Sequence, residues 1–189
     1  MRKLGYYIAL IILFSCKKQE KPTYIIDGST ATHNLVLLAT PDSAGYVTHI
    51  SPGKTTPMDL VTFANTLKGT PYKYASTDPA EGFDCSGFIA YVFNHFEIAV
   101  PRSSIEFNAV QRPIRLRDAR PGDLIFFTGT DSTVRKIGHM GIIDSYTGDS
   151  IKFIHSTSGK EKGVVETTFK GYYIPRYLKT IRVFAQNDK

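Results

Sequence analysis

The chain has 189 residues, 42% of them hydrophobic and 12% aromatic, which supplies one ordinary core and is short for two. Its formal charge of +6 suits an anionic polymer as partner. No run of interleaved basic and aromatic residues is present, which argues against nucleic acid.

The first residues differ from the rest. Arg2 and Lys3 precede an apolar run from Leu4 to Phe14, which stops at Ser15-Cys16 before the polar Lys17-Lys18-Gln19-Glu20. Cation, apolar stretch and small residue in that order predict an export signal over residues 1–15. The run falls short of the roughly 20 apolar residues that a membrane-spanning helix needs. Leu13-Phe14-Ser15-Cys16 resembles the lipobox of bacterial lipoproteins, and that resemblance implies a lipidated Cys16 that anchors the mature chain to a membrane of the cell envelope. In a host with two membranes the site would be the periplasm or the outer membrane. A chain starting at Cys16 would carry 6 minus 2, or +4, because Arg2 and Lys3 are lost. Cys85 would then be an unpaired thiol in an oxidising compartment, where such a thiol is kept for deep burial or for reactivity.

Residues 16–56 carry Pro22, Gly28, Pro41, Gly45, Pro52 and Gly53 with little periodicity, so they are predicted to form a lipidated tether or a small N-terminal extension. The domain is predicted over residues 57–189. In Thr56-Pro57-Met58-Asp59 a threonine cap, a proline at the first helical position and an acid three residues after the cap announce a helix. Leu60, Phe63, Ala64 and Leu67 give it an apolar face, and Gly69 closes it. A second helix is predicted from Asp84, as N-cap, through Phe88, Ile89, Val92, Phe93 and Phe96. Ser103 with Glu106 predicts a third, short one.

Arg102, Arg112, Arg115, Arg117 and Arg120 read as a solvated basic face. From Asp123 the period changes, and short β-rich runs follow at Leu124–Phe127, His139–Ile143, Ile151–Ile154, Val164–Thr168 and Tyr177–Ala185. Helices first and strands afterwards imply an α+β domain, its N-terminal helices packed on an antiparallel sheet.

Cys85 falls in the first turn of the second helix, where free backbone N–H groups and the helix dipole favour a thiolate. Gly87 lets another stretch of chain, or a substrate, approach the helix start. A cysteine nucleophile needs an imidazole to exchange protons with, and His139 sits at a strand start between Gly138 and Gly141. A third group should hold the other imidazole nitrogen. His155, at the end of the next strand, meets His139 if the pairing register allows. A zinc site from Cys85, His139 and His155 is an alternative on ligand type, without the close ligand pair typical of zinc motifs. His33, His49 and His95 have no partner in the pattern.

Gly69-Thr70-Pro71-Tyr72-Lys73-Tyr74, Gly82-Phe83-Asp84-Cys85-Ser86-Gly87-Phe88, Pro101-Arg102-Ser103, Pro121-Gly122-Asp123-Leu124-Ile125-Phe126-Phe127, Gly138-His139-Met140-Gly141-Ile142 and Phe153-Ile154-His155 together resemble the successive blocks of NlpC/P60 cysteine peptidases, from Pro57 to about Ala185. The resemblance implies a papain-like fold and hydrolysis of amide bonds in peptidoglycan stem peptides, next to a D-glutamyl residue. It implies Cys85 as nucleophile, His139 as general base and acid, His155 as the orienting third member, and Tyr72 beside the thiol at the oxyanion. It also implies Asp84 and Ser86 as binders of the stem peptide. Where many relatives carry paired glycines, this chain has Ala75-Ser76 and then a loop to Glu81, bordering the site. No metal or organic cofactor and no partner chain is implied, so a monomer is expected. The competing readings are a non-catalytic peptidoglycan-binding lipoprotein and a thiol amidase or acyltransferase of related architecture; the intact Cys85, His139 and His155 favour the peptidase.

Overall fold

The structure, a computed structural model, describes residues 47–188; the predicted signal, Cys16 and most of the predicted tether lie outside the described residues. The first helix, α1, spans Pro57–Thr66 and starts as its capping pattern dictates. Asp59 N–H donates to Thr56 Oγ1 at 3.2 Å, and the Asp59 carboxylate accepts the Thr56 N–H at 3.0 Å. Strands β1 (Thr77–Asp78) and β2 (Gly82–Phe83) form a short antiparallel hairpin leading into α2 (Cys85–Asn94). The predicted third helix is a 3-10 turn over Ser104–Asn108, with Ser103 N–H donating to the Glu106 carboxylate at 3.1 Å.

Six strands make the main sheet: β3 (Pro113–Ile114), β4 (Leu124–Thr128), β5 (Ile137–Tyr146), β6 (Ile151–Thr157), β7 (Gly163–Thr168) and β8 (Tyr177–Ile181). Their order is β3-β8-β4-β5-β6-β7, antiparallel throughout. Helices followed by an antiparallel sheet is the α+β arrangement expected of the sequence.

One face of the sheet, with Leu124, Phe126, Met140, Ile142 and Ile154, shares a core with Leu60 and Ala64 of α1 and Phe88, Ile89 and Val92 of α2. The other face buries Ile125, Phe127, Ile143 and Phe153, with Phe169, Tyr173 and Tyr177 packed against them. That second core explains why β4 is buried at all five positions instead of alternating.

Three boundaries differ from expectation. Helix α2 stops at Asn94, and Phe96 lies in the turn after it, its N–H donating to Phe93 O. Strand β8 ends at Ile181 and a 3-10 turn, Ala185–Asp188, replaces its predicted last residues. The domain also begins before Pro57, since Ile50 is buried in the core and Thr48 O accepts the Gln111 N–H.

The basic stretch is a solvated face at Arg115, Arg117 and Arg120, which are exposed, but not at Arg102 and Arg112, which are half-buried. Arg112 pairs with Asp188, Arg115 with Asp118, and Arg102 sits under the start of α2. Nearby, fully buried Asp123 accepts from Arg182 Nη2 at 3.2 Å and from Arg120 N–H at 2.8 Å. Removing Asp123 leaves the buried Arg182 with only the longer ion pair to Asp188 at 3.6 Å and the Asp118 carbonyl, so Asp123→Ala is expected to lose about 3 kcal/mol of stability. Urea unfolding checks this, and a loss under about 1 kcal/mol would mean that the ion pair is replaced by solvent.

Candidate active site

Asp84 caps α2, its Oδ1 accepting the Gly87 N–H, and this fixes Cys85 as the first residue of the helix. The thiol-bearing residue is half-buried, and it lines a cleft of about 600 Å³ together with Tyr72 and His139. Gly87 is needed for a different neighbour than a substrate: a Cβ there would lie 2.0 Å from Ser76 O, so the hairpin loop packs directly on the helix start.

The two histidines come together through the strand register. Ile142 of β5 faces Ile154 of β6, which sets Gly141 opposite His155 one step further along. The missing side chain at Gly141 makes room, since a Cβ there would come within 3.1 Å of the His155 Cβ. His139, two residues before Gly141, projects from the same face and is the diagonal neighbour of His155. His139 Nε2 and His155 Nδ1 are 2.8 Å apart, with ring centroids at 4.9 Å.

A fourth group, absent from the sequence reading, continues the line: His155 Nε2 lies 2.9 Å from Thr167 Oγ1 on β7. Both nitrogens of His155 are therefore engaged, which leaves it none with which to ligate a metal. His139 Nδ1 has no hydrogen-bond partner among the described residues, and no direct hydrogen bond joins His139 to Cys85 there. With Nε2–H donated to His155, and His155 Nε2–H donated to Thr167, the lone pair of Nδ1 is the one free to take a proton.

Tyr72 is held by backbone on two sides. Its N–H donates to Lys162 O at 2.8 Å, and it bridges to Phe83. Its phenol is raised above the ordinary tyrosine range by burial first and by Cys85 and Asp84 next, so it stays protonated as a donor.

Asp84 and Ser86 are directed elsewhere. Ser86 Oγ donates to Asp84 Oδ1, Arg102 Nη1 donates to Ser86 Oγ at 3.1 Å, and Arg102 Nη2 donates to Asp84 Oδ2 at 3.3 Å. Arg102 also reaches Ala75 O at 3.0 Å, so it ties the hairpin loop to the helix start. Neither Asp84 nor Ser86 is among the residues lining the cleft. Their polar atoms hold the start of the helix that carries Cys85 in place. Arg102 is the partner that was read as solvent-facing, and the Pro101-Arg102-Ser103 block has its physical reason here.

The electrostatics correct the expectation of a thiolate. Burial, and then the Asp84 carboxylate, push the Cys85 thiol up to about 11 despite the helix start. Burial, and then the charge of Arg176, push His139 down to about 3, and His155 is held well below the imidazole range chiefly by burial. A raised thiol beside a lowered imidazole favours the neutral pair over a thiolate–imidazolium pair. Below the thiol value the sulfur keeps its proton, so alkylation of Cys85 by iodoacetamide is expected to rise about tenfold per pH unit between pH 6 and 9. A plateau across neutral pH would show a preformed thiolate–imidazolium pair instead.

The sequence pattern of the NlpC/P60 family matches residues 69–182, which hold all of these groups. The chain belongs to the NlpC/P60 family. Its NlpC/P60 domain is 35% identical over 128 residues to the gamma-DL-glutamyl hydrolase of Bacillus subtilis, covering 67% of this chain and 30% of that protein. It is 36% identical over 92 residues to the bifunctional muramidase/DL-endopeptidase CwlT of the same organism, covering 49% of this chain and 27% of the relative. The chain thus spans about a third or less of the length of these curated relatives. Among solved structures, an NlpC/P60 family protein from Bacillus cereus superposes with a TM-score of 0.60 at 29% identity, covering 69% of this chain and 41% of that one. The NlpC/p60 domain of the peptidoglycan hydrolase SagA shares the fold, with a TM-score of 0.55 at 22% identity over 68% of this chain and 99% of that domain.

Proposed function

We propose that this protein is a cysteine endopeptidase that hydrolyses amide bonds in the stem peptides of peptidoglycan. The observation that carries the reading is the line Thr167–His155–His139, hydrogen-bonded through successive ring nitrogens and ending at a cleft that Cys85 also lines. The names of the relatives, a gamma-DL-glutamyl hydrolase and a DL-endopeptidase, support a glutamyl bond between residues of D and L configuration, and the family resemblance implies a D-glutamyl residue joined to a diamino acid.

On this reading Cys85 Sγ attacks the amide carbon while His139 Nδ1 takes the thiol proton. A tetrahedral oxyanion forms, with the Tyr72 hydroxyl as a donor on its side of the cleft. The C–N bond breaks, His139 returns the proton to the departing amine, and a thioester to Cys85 remains. Water, deprotonated by the same imidazole, cleaves the thioester to a carboxylate and restores the thiol. The Leu13–Cys16 pattern supports action from a lipid anchor at the envelope.

Mass spectrometry of a purified muropeptide digest tests this. Cleavage is expected to give one fragment ending in a free D-glutamyl carboxyl and one with a new amine on the diamino acid. An unaltered muropeptide mass, or cuts elsewhere only, would overturn the assignment, and tight binding without cleavage would mark a wall-binding protein.

A further inference from the structure

Arg176, between a 3-10 turn at Gly171–Tyr173 and β8, is a buried cation that neither the fold nor the proton line fully explains. It is 7% exposed. Its Nε donates to Gly129 O at 2.9 Å and its Nη2 to Thr128 O at 3.0 Å, which pins one edge of the guanidinium to the end of β4. No carboxylate forms an ion pair with it among the described residues, and Nη1 has no acceptor there. A guanidinium held this deep without a counter-ion is unfavourable unless an anion completes it. Arg176 nevertheless lines the same cleft as Cys85 and His139.

We propose that Arg176 anchors a carboxylate subsite in the leaving-group half of the cleft, and that the group it takes is a carboxylate of the diamino acid. This rests on the peptidase reading above. The geometry of the free edge suits such a ligand, because Tyr172 covers one face of the guanidinium with its ring centroid 4.3 Å from Cζ. An anion must therefore approach edge-on, as a carboxylate does when it accepts from a guanidinium fork.

The side of the cleft follows from proton transfer. The amine that departs receives its proton from His139, so the residue carrying that amine lies against His139. Arg176 is on that side: its Cζ is 5.8 Å from the Tyr173 ring, which stacks 6.4 Å from His139, and its charge reaches both imidazoles. Lys160 adds a second cation at the exposed rim. Glu161 also lines the cleft, but it is exposed and makes no ion pair with Arg176.

The test uses one stem peptide in three forms: with the diamino acid carboxylate free, with that carboxylate as a primary amide, and with the D-glutamyl carboxylate as an amide. The wild-type protein is expected to prefer the first over the second by roughly 10- to 100-fold in kcat/KM, as for a charge-assisted hydrogen bond. Arg176→Gln should remove that preference, mainly through KM, and Arg176→Lys should keep only part of it, which also serves if the glutamine variant does not fold. A merely structural Arg176 would lower rates on all three peptides alike, and this would overturn the subsite. So would equal wild-type rates on the first two peptides, a preference that survives Arg176→Gln, or one that follows the D-glutamyl carboxylate. In each of those cases the peptides are still cut and the peptidase reading stands. Cleavage of none of the three sinks the peptidase reading instead.

Discussion

Cys85→Ala should abolish muropeptide hydrolysis, with a fall in kcat of about 10⁵-fold, because single removals within a nucleophile–base unit cost almost as much as removal of the whole unit. Two nearby hydroxyls are already committed: Ser86, outside the cleft lining, is tied to Asp84 and Arg102, and Thr167 is engaged by His155. What remains is the binding and polarisation that the empty cleft still provides. Stability should change little, within about 1 kcal/mol, since Cys85 is half-buried and the substitution removes only one sulfur atom. The cap from Asp84 to the Gly87 N–H stays intact, so α2 keeps its start. The variant is thus a test of chemistry and not of folding. Measurable turnover by a Cys85→Ala protein with a native unfolding curve would take the sulfur out of the mechanism.

Much of this site was legible in the sequence because its determinants are local. An aspartate followed by an apolar stripe at spacings of three and four fixes where α2 begins, and with it the position of Cys85. The strands from Leu124 onward were also legible, since their β-rich runs are bounded by glycine turns. The meeting of His139 and His155 was legible only as a condition, because a shift of one residue between β5 and β6 would turn either ring to the opposite face. A bulge between Ile143 and Ser145 does shift that register, but it lies beyond the two histidines and leaves their pairing intact.

Other features depend on partners far apart in the chain, and no local pattern announces them. Arg102 and Asp84 are 18 residues apart, and Arg176 meets Thr128 from 48 residues away. Thr167 looked like one more alternating position of a strand. The aromatic layer of Phe169, Tyr173 and Tyr177 over the second face of the sheet was hidden for the same reason. The thiol is the instructive failure. A helix start favours an anion by a modest amount that fades with distance and solvent, whereas burial and an adjacent carboxylate both oppose it. At Cys85 the opposing pair wins.

That result sharpens what the two histidines must do. If the thiol is protonated at rest, the imidazole at position 139 has to remove its proton during attack and then deliver one to the leaving amine. Each of these steps has general acid–base catalysis at stake, so His139→Ala is expected to lower kcat/KM by about 10⁴-fold. His155 moves no proton to or from the substrate. It holds Nε2 of His139 so that Nδ1 points into the cleft, and the His139 ring has further support from Phe127 and Tyr173, with centroids at 6.0 and 6.4 Å. Loss of orientation alone points to a decrease of about 10²-fold for His155→Ala. Because His155 is fully buried, that variant also leaves a cavity, so His155→Asn is the cleaner probe. Its amide fills part of the volume and still accepts from His139, and it should recover part of the rate. Turnover measured beside unfolding curves separates the two effects. If His155→Asn lost more activity than His139→Ala while remaining folded, the proton would have to pass through position 155, and the roles of the two rings would have to be exchanged.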